Sequence, residues 1–525
     1  MNRKLDWPAL FLFTALLFGA VVRFWPVITH GFPLNDGGMF YTMIQDLKTN
    51  HYRLPQFTTY NLADIPFAYP PLGFYMAASL SDLLSVPELQ VLLWLPALVN
   101  TISIFIFYTL AKQVLDSRIS AALAVMIYAL SPRSFMWQVM GGGITRAFGL
   151  LFLLLMLWQA VQMFREYKHE HLTLTILFGS GAGLGHPQTA LHAALGGVLA
   201  FVFFGRNKRG VVSAIMAGFG VALITAPWWG LVLSRHGLDP VIFASQTSRR
   251  SLEAYLAILA FNGLVDYLFI PTLLLAALGT WVMFSKHELL LIVWAVLAYL
   301  MDPRGAEGIM LLCLSMLAGV GLYKLSAWIG RSEGGLDEDA AQQMNGLSKG
   351  RSGIRPAQIL IFSLTTYFVL VASIIDFQLI NTSLEPADLA LIDWVRTNVP
   401  DDKTFLLATG RQFSMSDPLQ EWFPALTGQY SATTLQGLEW TLGDGFFPWL
   451  NQLVEFQYCA DIHCVQAWSA RNDVDYDYLI VLIPPERDQR ELANSLRSLG
   501  ASARGSTLHV LVYESDSAFV FEVNK

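Results

Sequence analysis

The sequence predicts a polytopic α-helical membrane protein of about eleven transmembrane helices, followed by a C-terminal α/β domain outside the membrane. Three observations lead there. Apolar residues make up 54% of the 525 positions and charged residues only 14%, against roughly 25% charged in ordinary globular domains. Mean hydropathy is +0.46. Charge is unevenly placed: residues 385–525 hold 20 acidic and 9 basic side chains, while the rest of the chain holds 20 acidic and 24 basic ones. A water-soluble chain needs more charge than this to cover its surface, and a disordered one is poorer in apolar and aromatic residues. A net charge of −7 with no long basic run argues against nucleic acid as a partner. Three Cys in 525 residues exclude a disulfide-stapled secreted fold.

A membrane helix takes about 20 mostly apolar residues. Candidate spans cover residues 7–28, 88–111, 118–139, 144–164, 171–184, 189–204, 210–231, 266–284, 287–300, 308–328 and 356–379. A further apolar stretch, 67–84, opens with Tyr69-Pro70-Pro71 and carries Ser79, Ser81 and Asp82, so it reads as a helix lying at the membrane surface. Charge supports that count. With the N-terminus in the cytoplasm, the inner loops hold Arg3, Lys4, Lys112, Arg165, Lys168, Arg206, Lys208, Arg209 and Lys286, as expected of cytoplasmic loops. Counting 67–84 as a span would move nearly all of these outside. The expected organisation is therefore a multi-pass protein of the cell (plasma) membrane. Residues 1–330 form the transmembrane body with an outer-face loop at 29–87, and 331–355 form a flexible cytoplasmic linker rich in Gly, Ser, Glu, Asp and Gln. Residues 356–380 are the last span, and 381–525 an extracytoplasmic α/β domain.

Within that domain, 387–397 and 487–499 have helical spacing, and 404–408, 478–483, 508–513 and 519–523 read as strands. Cys459 and Cys464 lie five positions apart. They are either a disulfide of an oxidising compartment or two free thiols.

Ionisable residues at a membrane face are costly to place, so each invites a functional reading. The first outer loop reads His30-Gly31-Phe32-Pro33-Leu34-Asn35-Asp36-Gly37-Gly38-Met39-Phe40-Tyr41. A carboxylate on a Gly-rich turn leaves room for close approach to the backbone. It can take a proton from an attacking hydroxyl or amide, hold a divalent cation through oxygen, or, with Asn35, cap a helix running to about Leu47. Spacing alone weights the functional and capping readings equally. Further on, a Pro pair at Tyr69-Pro70-Pro71-Leu72-Gly73-Phe74-Tyr75 is pre-set for the first turn of a helix.

An acidic residue just after the first span, followed 33 positions later by this Tyr-Pro-Pro-Leu-Gly-Phe-Tyr helix entry, resembles the GT-C superfamily of membrane glycosyltransferases. It is similar to the protein O-mannosyltransferases and the lipid A aminoarabinose transferases. The many-span body followed by an outer domain also resembles the oligosaccharyltransferase catalytic subunit. The resemblance is strongest over residues 1–150 and architectural elsewhere. It implies a GT-C body that takes a sugar from a polyprenyl-phosphate donor and transfers it, on the outer face, to a glycan, protein or lipid acceptor. Asp36 stands at the position of the family's catalytic acid. Gly37 stands where many relatives have a second acid, and no Trp-Trp-Asp-Tyr-Gly motif is present, which argues against sequon-directed N-glycosylation. No cofactor is certain; a divalent cation, Mg or Mn, is a candidate, although no metal-binding His/Cys cluster stands out.

Other candidate substrate contacts lie at the same face. Arg146, after Gly141-Gly142-Gly143-Ile144-Thr145, is either a phosphate clamp at a helix N-terminus or a side chain snorkelling to lipid headgroups. His186, in a Gly-His-Pro-Gln break, either bonds substrate or is a structural histidine. Arg304 resembles the basic residue that GT-C enzymes hold near the carrier phosphate, or pairs with Asp302 or Glu307; Glu307 is itself a candidate, as is Tyr69. In the tail, Glu421-Trp422 and Glu439-Trp440 suit sugar binding if exposed and serve as core if buried. The expected activity is that of an inverting glycosyltransferase with Asp36 as general base. A transporter or flippase of lipid-linked sugars, and a non-catalytic glycan-binding protein of envelope assembly, are the alternatives.

Overall fold

The computed structural model describes residues 6–247, 252–256, 264–303, 305–331, 356–411, 416–483 and 490–524. Helix α1 (Trp7–His30) begins where the Asp6 carboxylate accepts the Ala9 N–H and ends at Gly31, whose φ of +74° supplies a left-handed cap. Two short helices follow at one end of the bundle, α2 (Gly38–Thr49) and α3 (Leu72–Leu84). The bundle continues through α4 (Glu88–Leu115), α5 (Arg118–Leu130), α6 (Met136–Val139), α7 (Gly143–Glu166), α8 (His169–Gly185), α9 (Pro187–Phe204) and α10 (Lys208–His236). Then come α11 (Asp239–Gln246), α12 (Leu252–Leu256), α13 (Leu264–Ser285), α14 (Leu290–Met301), α15 (Ala306–Arg331) and α16 (Pro356–Ile380).

Each candidate span falls on a helix, but the count of about eleven is not reproduced. Among the described residues, seven helices are long and apolar enough to cross a membrane: α1, α4, α7, α9, α10, α15 and α16. An eighth arises if α5 and residues 132–139 form one span, bent by 86°. Apolar content alone had joined these pieces, because hydropathy does not register a break. Helix α14 has 12 residues, about 18 Å of rise against a hydrocarbon core of about 30 Å. Helix α3 buries Phe74, Ala77 and Ala78 on one side and leaves Leu83 and Leu84 exposed. Apart from Arg331, which ends α15, the expected linker 331–355 lies outside the described residues.

The bend after α5 is braced by a buried cation. Arg23 on α1 is fully enclosed. Its Nη1 donates to the carbonyls of Gly19 (2.9 Å) and Ala129 (2.8 Å), Nη2 to Ser134 Oγ (2.9 Å), and Nε to Asn100 Oδ1 (2.5 Å). Ala129 and Ser134 lie on opposite sides of the bend, so one guanidinium fixes both arms. Elsewhere backbones approach through small residues: a Cβ on Gly279 of α13 would lie 1.8 Å from the Leu317 carbonyl oxygen of α15.

Beyond α16 the chain forms a five-stranded sheet with helices on both faces. The elements are α17 (Pro386–Asn398), β1 (Thr404–Ala408), α18 (Pro418–Thr427), β2 (Tyr430–Ser431), α19 (Phe446–Gln457), α20 (Ile462–Asn472), β3 (Tyr478–Leu482), α21 (Arg490–Arg504), β4 (His509–Glu514) and β5 (Ala518–Val523). The strand order is β2-β1-β3-β5-β4. The β1 pairings with β2 and β3 are parallel, and β5 runs antiparallel to β3 and β4. Side chains alternate across the sheet. Leu406, Leu479, Val481 and Phe521 pack on Phe456, Trp468 and Leu496, from α19, α20 and α21. Phe405, Leu407, Ile480 and Val520 face Ile392, Val395, Leu419 and Trp422 on α17 and α18, with Phe32 and Tyr41 of the helical body against this second cluster. The sheet domain therefore rests on the bundle through α17 and α18. A Cys459–Cys464 disulfide closes the turn between α19 and α20.

The Arg23 brace is testable. Arg23→Leu strands buried acceptors on three helices, and it is expected to destabilise the protein by about 3 kcal/mol. Thermal unfolding of the purified protein in detergent measures this; an unshifted midpoint would remove Arg23 from the support of the bend.

Candidate functional site

Residues 34–37 and 140–142 run against each other at the end of the bundle that carries the sheet domain. The Gly141 N–H donates to the Leu34 carbonyl at 3.0 Å, and the Asn35 N–H to the Thr382 carbonyl at 3.0 Å. Gly37 has φ of +131°, and a Cβ there would lie 2.9 Å from Gly141 Cα, so both the conformation and the approach require glycine.

This packing presents Asp36 to the start of α7. Its Oδ1 accepts the Gly142 N–H at 2.9 Å, and its Oδ2 accepts Arg146 Nη2 at 2.7 Å. Asp36 is 8% exposed. A Cβ on Gly142 would meet Asp36 Oδ2 at 2.5 Å, so this glycine is what admits the carboxylate. The Arg146 guanidinium lies 5.3 Å from the centre of the Trp137 ring, and Nη1 donates to the Trp137 carbonyl at 3.3 Å. Arg146 thus turns inward to a carboxylate and does not snorkel.

Asp36 does not cap α2. The first N–H groups of that helix are met from the sheet domain: Glu421 Oε1 accepts from Gly37 at 3.1 Å and from Met39 at 3.2 Å. Burial, and next the nearby Asp36 charge, push the Glu421 carboxyl up to about 8. Trp422 Nε1 donates to the Asn35 carbonyl at 2.9 Å, and Tyr60 Oη to the Glu421 carbonyl at 2.7 Å.

Tyr69 and His186 border the same place. Tyr69 contacts the rings of His186 (centroids 6.0 Å apart) and Trp440 (5.7 Å). Burial pushes its hydroxyl up to about 12, which keeps it a proton donor. His186 caps the junction of α8 and α9, where Gly185 packs on Gly149 of α7, one turn beyond Arg146. Burial, then the Arg146 charge, lowers the His186 imidazole well below its usual range, so it is neutral. Its Nδ1 is buried without a hydrogen-bond partner among the described residues.

The remaining candidates are placed differently. Glu307 pairs with Arg133 at 3.0 Å. Asp302 accepts the Gly305 N–H at 3.1 Å and faces His192 at 4.0 Å. Arg304 lies outside the described residues. Neither Glu-Trp pair forms an exposed platform, which corrects the sugar-stacking expectation. Trp422 is fully buried between the sheet and the bundle, Trp440 is 7% exposed, and Glu439 accepts the Gly437 N–H at 2.8 Å. Large apolar rings here gain more from closing the interface than from facing water. The structure thus brings together Asp36, Arg146, Tyr69, His186, Glu421 and Trp440. The role of Glu421 as a cap on the Asp36 loop was not foreseen; nothing in the local sequence relates two positions 384 residues apart.

A divalent cation fits this arrangement poorly. Both Asp36 oxygens already accept N–H donors, one from a guanidinium at 2.7 Å. Among the described residues, no three His, Cys, Asp or Glu side chains converge as a metal site.

Residues 68–230 match the family of dolichyl-phosphate-mannose-protein mannosyltransferases. Solved structures match over nearly the whole chain. The oligosaccharyltransferase of Archaeoglobus fulgidus superposes with a TM-score of 0.59 at 12% identity, covering 99% of this chain and 75% of that one. ArnT from Cupriavidus metallidurans bound to undecaprenyl phosphate superposes with a TM-score of 0.56 at 13% identity, covering 98% and 97%. The mycobacterial arabinofuranosyltransferase AftD gives 0.55 at 14% identity, covering 100% of this chain and 40% of that one. No curated protein sequence matches. At these identities the likeness establishes the fold, which is that of the GT-C membrane glycosyltransferases.

Trp422 is expected to be structural. Trp422→Phe removes the bond to Asn35 and part of the ring volume and should cost about 2 kcal/mol, whereas Trp422→Ala opens a larger cavity at the interface and should cost about 4 kcal/mol. Chemical unfolding in detergent compares them; a neutral Trp422→Ala would refute the assignment.

Proposed function

We propose that this GT-C-fold membrane protein is an inverting glycosyltransferase that moves a sugar from a polyprenyl-phosphate donor to an acceptor at the bundle end carrying the sheet domain. The observation that supports this most directly is the Asp36–Arg146 pair, a carboxylate and a guanidinium 2.7 Å apart at the mouth of the bundle, at the position the family resemblance gives to the catalytic acid. That end is read as facing outward. Lys112, Arg165, Lys168, Arg206, Lys208, Arg209 and Lys286 all lie at or beside the opposite helix ends, as in cytoplasmic loops.

The chemistry divides between the two side chains. The acceptor oxygen attacks the anomeric carbon as its proton passes to an Asp36 oxygen. The bond from that carbon to the phosphate oxygen breaks, and the electron pair leaves with polyprenyl phosphate. Arg146 presents a planar fork of N–H donors, so it can bridge Asp36 and the phosphate and stabilise charge growing on the leaving group. Neutral His186, whose Nδ1 has no hydrogen-bond partner among the described residues, and the Tyr69 hydroxyl supply uncharged contacts for sugar or phosphate oxygens.

A transporter reading would need charges along a midplane path. Arg23 is the natural candidate, yet its donors are taken by Asn100, Gly19, Ala129 and Ser134, which marks it as a brace. A glycan-binding role for the sheet domain loses support from the burial of Trp422.

Purified protein given labelled polyprenyl-phosphate sugar separates the readings: transferred product, movement across a vesicle without product, or neither. Asp36→Asn keeps the shape and an acceptor for Arg146, and is expected to lower transfer by a factor of about 100 or more in a protein that still folds, at some cost in stability from the lost ion pair; full activity in that variant ends the case for Asp36. Gly142→Ala, which pushes a methyl group onto Asp36 Oδ2, should depress transfer at least about tenfold, and normal turnover there would show that the observed pairing is not the working one.

A further inference from the structure

Glu421 holds a place that the proposed mechanism does not use. It belongs to the sheet domain, 385 positions beyond Asp36 in sequence, and is 5% exposed. Its carboxyl group still reaches across the domain boundary to the two amides that follow Asp36, at Gly37 and Met39. The contact is close along its length. A Cβ on Gly38 would lie 2.3 Å from the Glu421 carbonyl oxygen, and Trp422 fixes the Asn35 carbonyl on the other side of Asp36. The residues flanking Asp36 are therefore gripped by Glu421 and Trp422, and its side chain is met by Gly142 and Arg146.

We propose that Glu421 is a positioning residue for the Asp36 site: it fixes the loop through the Gly37 and Met39 amides, and its own charge state governs how readily Arg146 accepts a lipid phosphate. This rests on the reading of Asp36 and Arg146 as the reaction centre. The ionisable groups facing Glu421 are Asp36 from the loop, Arg146 from α7, Glu439 from the turn after Gly437, and Tyr60 from the turn before α3. Burial and the Asp36 charge raise the Glu421 carboxyl to about 8. Below that pH it is neutral, and its oxygen still accepts both N–H bonds. As pH rises through that value it gains a negative charge beside Asp36 and Arg146. A phosphate arriving at Arg146 then meets a second carboxylate, and binding weakens.

Two measurements on the full-length protein in nanodiscs test this. The first is hydrogen exchange of the segment 33–44. Glu421→Ala, which loses the acceptor, should speed exchange at Gly37 and Met39 about tenfold, while Glu421→Gln, whose amide oxygen can accept both bonds, should restore slow exchange. Unchanged exchange in Glu421→Ala overturns the positioning role. The second is the affinity for undecaprenyl phosphate between pH 7 and pH 9. Wild type should weaken about tenfold and Glu421→Gln should not; this variant also carries the ligand's own titration as a control. Parallel curves overturn the charge effect, which a merely structural glutamate would not produce. If wild type does not bind undecaprenyl phosphate, or Arg146→Met binds it equally well, it is the glycosyltransfer reading that fails, and the exchange measurement still decides whether Glu421 holds the loop.

Discussion

The constraint behind this structure is the placing of one ion pair at the end of an apolar bundle. Asp36 and Arg146 are both largely withdrawn from water, and a charge so placed is costly unless it is paired and hydrogen-bonded. Each feature around the pair reduces that cost. Gly142 offers a backbone N–H and no side chain. The first turn of α7 adds the favourable field of a helix N-terminus for an anion. The Trp137 ring lies under the guanidinium. A carboxylate satisfied in this way is quiet until another anion competes for the arginine. On the proposed function, a donor phosphate taking part of the guanidinium would leave Asp36 freer to accept a proton.

Such a pair needs a rigid frame, and the frame is the bend after α5. The segment that carries Gly141 and Gly142 can reach Asp36 only because the chain turns through 86° beyond Leu130. Pro132 starts the turn, and Arg23 holds both of its arms. A guanidinium deep in a helical bundle could be taken for a transport residue. Its satisfaction by two carbonyls, an amide and a hydroxyl shows a mechanical use, in which strong hydrogen bonds in a low-dielectric setting fix a non-helical geometry.

The sequence was legible wherever physics is local. Apolar runs located every long helix, because bilayer thickness sets their length and composition. The Gly-rich turn at Asp36 announced itself through residue types that only a strained or crowded backbone requires. Short apolar runs marked β1 and β3 and alternation marked β4 and β5, but neither marked the two-residue β2, whose pairing depends on its neighbour β1. Hydropathy could not place breaks, so the bent pair passed as one span and short α14 as another. Long-range pairing was invisible. Glu421-Trp422 read either as a sugar contact or as core because Trp beside an acid is ambiguous until burial is known, and burial here is decided by Asn35 and Phe32 at the far end of the sequence.

The burial of Trp422 bears on what the sheet domain is for. Had the Trp side chains been exposed, the domain would be a separable module that brings an acceptor near. Instead α18 buries Trp422 against Phe32 and Tyr41, and Asn61 and Ser431 exchange hydrogen bonds across the same boundary: the Asn61 amide donates to the Ser431 carbonyl, and the Ser431 N–H to the Asn61 oxygen. Detaching the domain would strip acceptors from the first amides of α2 and a donor from Asn35, on both sides of Asp36. A buried amide without a partner costs about 1–3 kcal/mol, enough for the loop to leave its observed geometry. The helical body supplies both charged members of the pair, yet half of the grip on one of them comes from the sheet domain, so the two parts of the chain form one site.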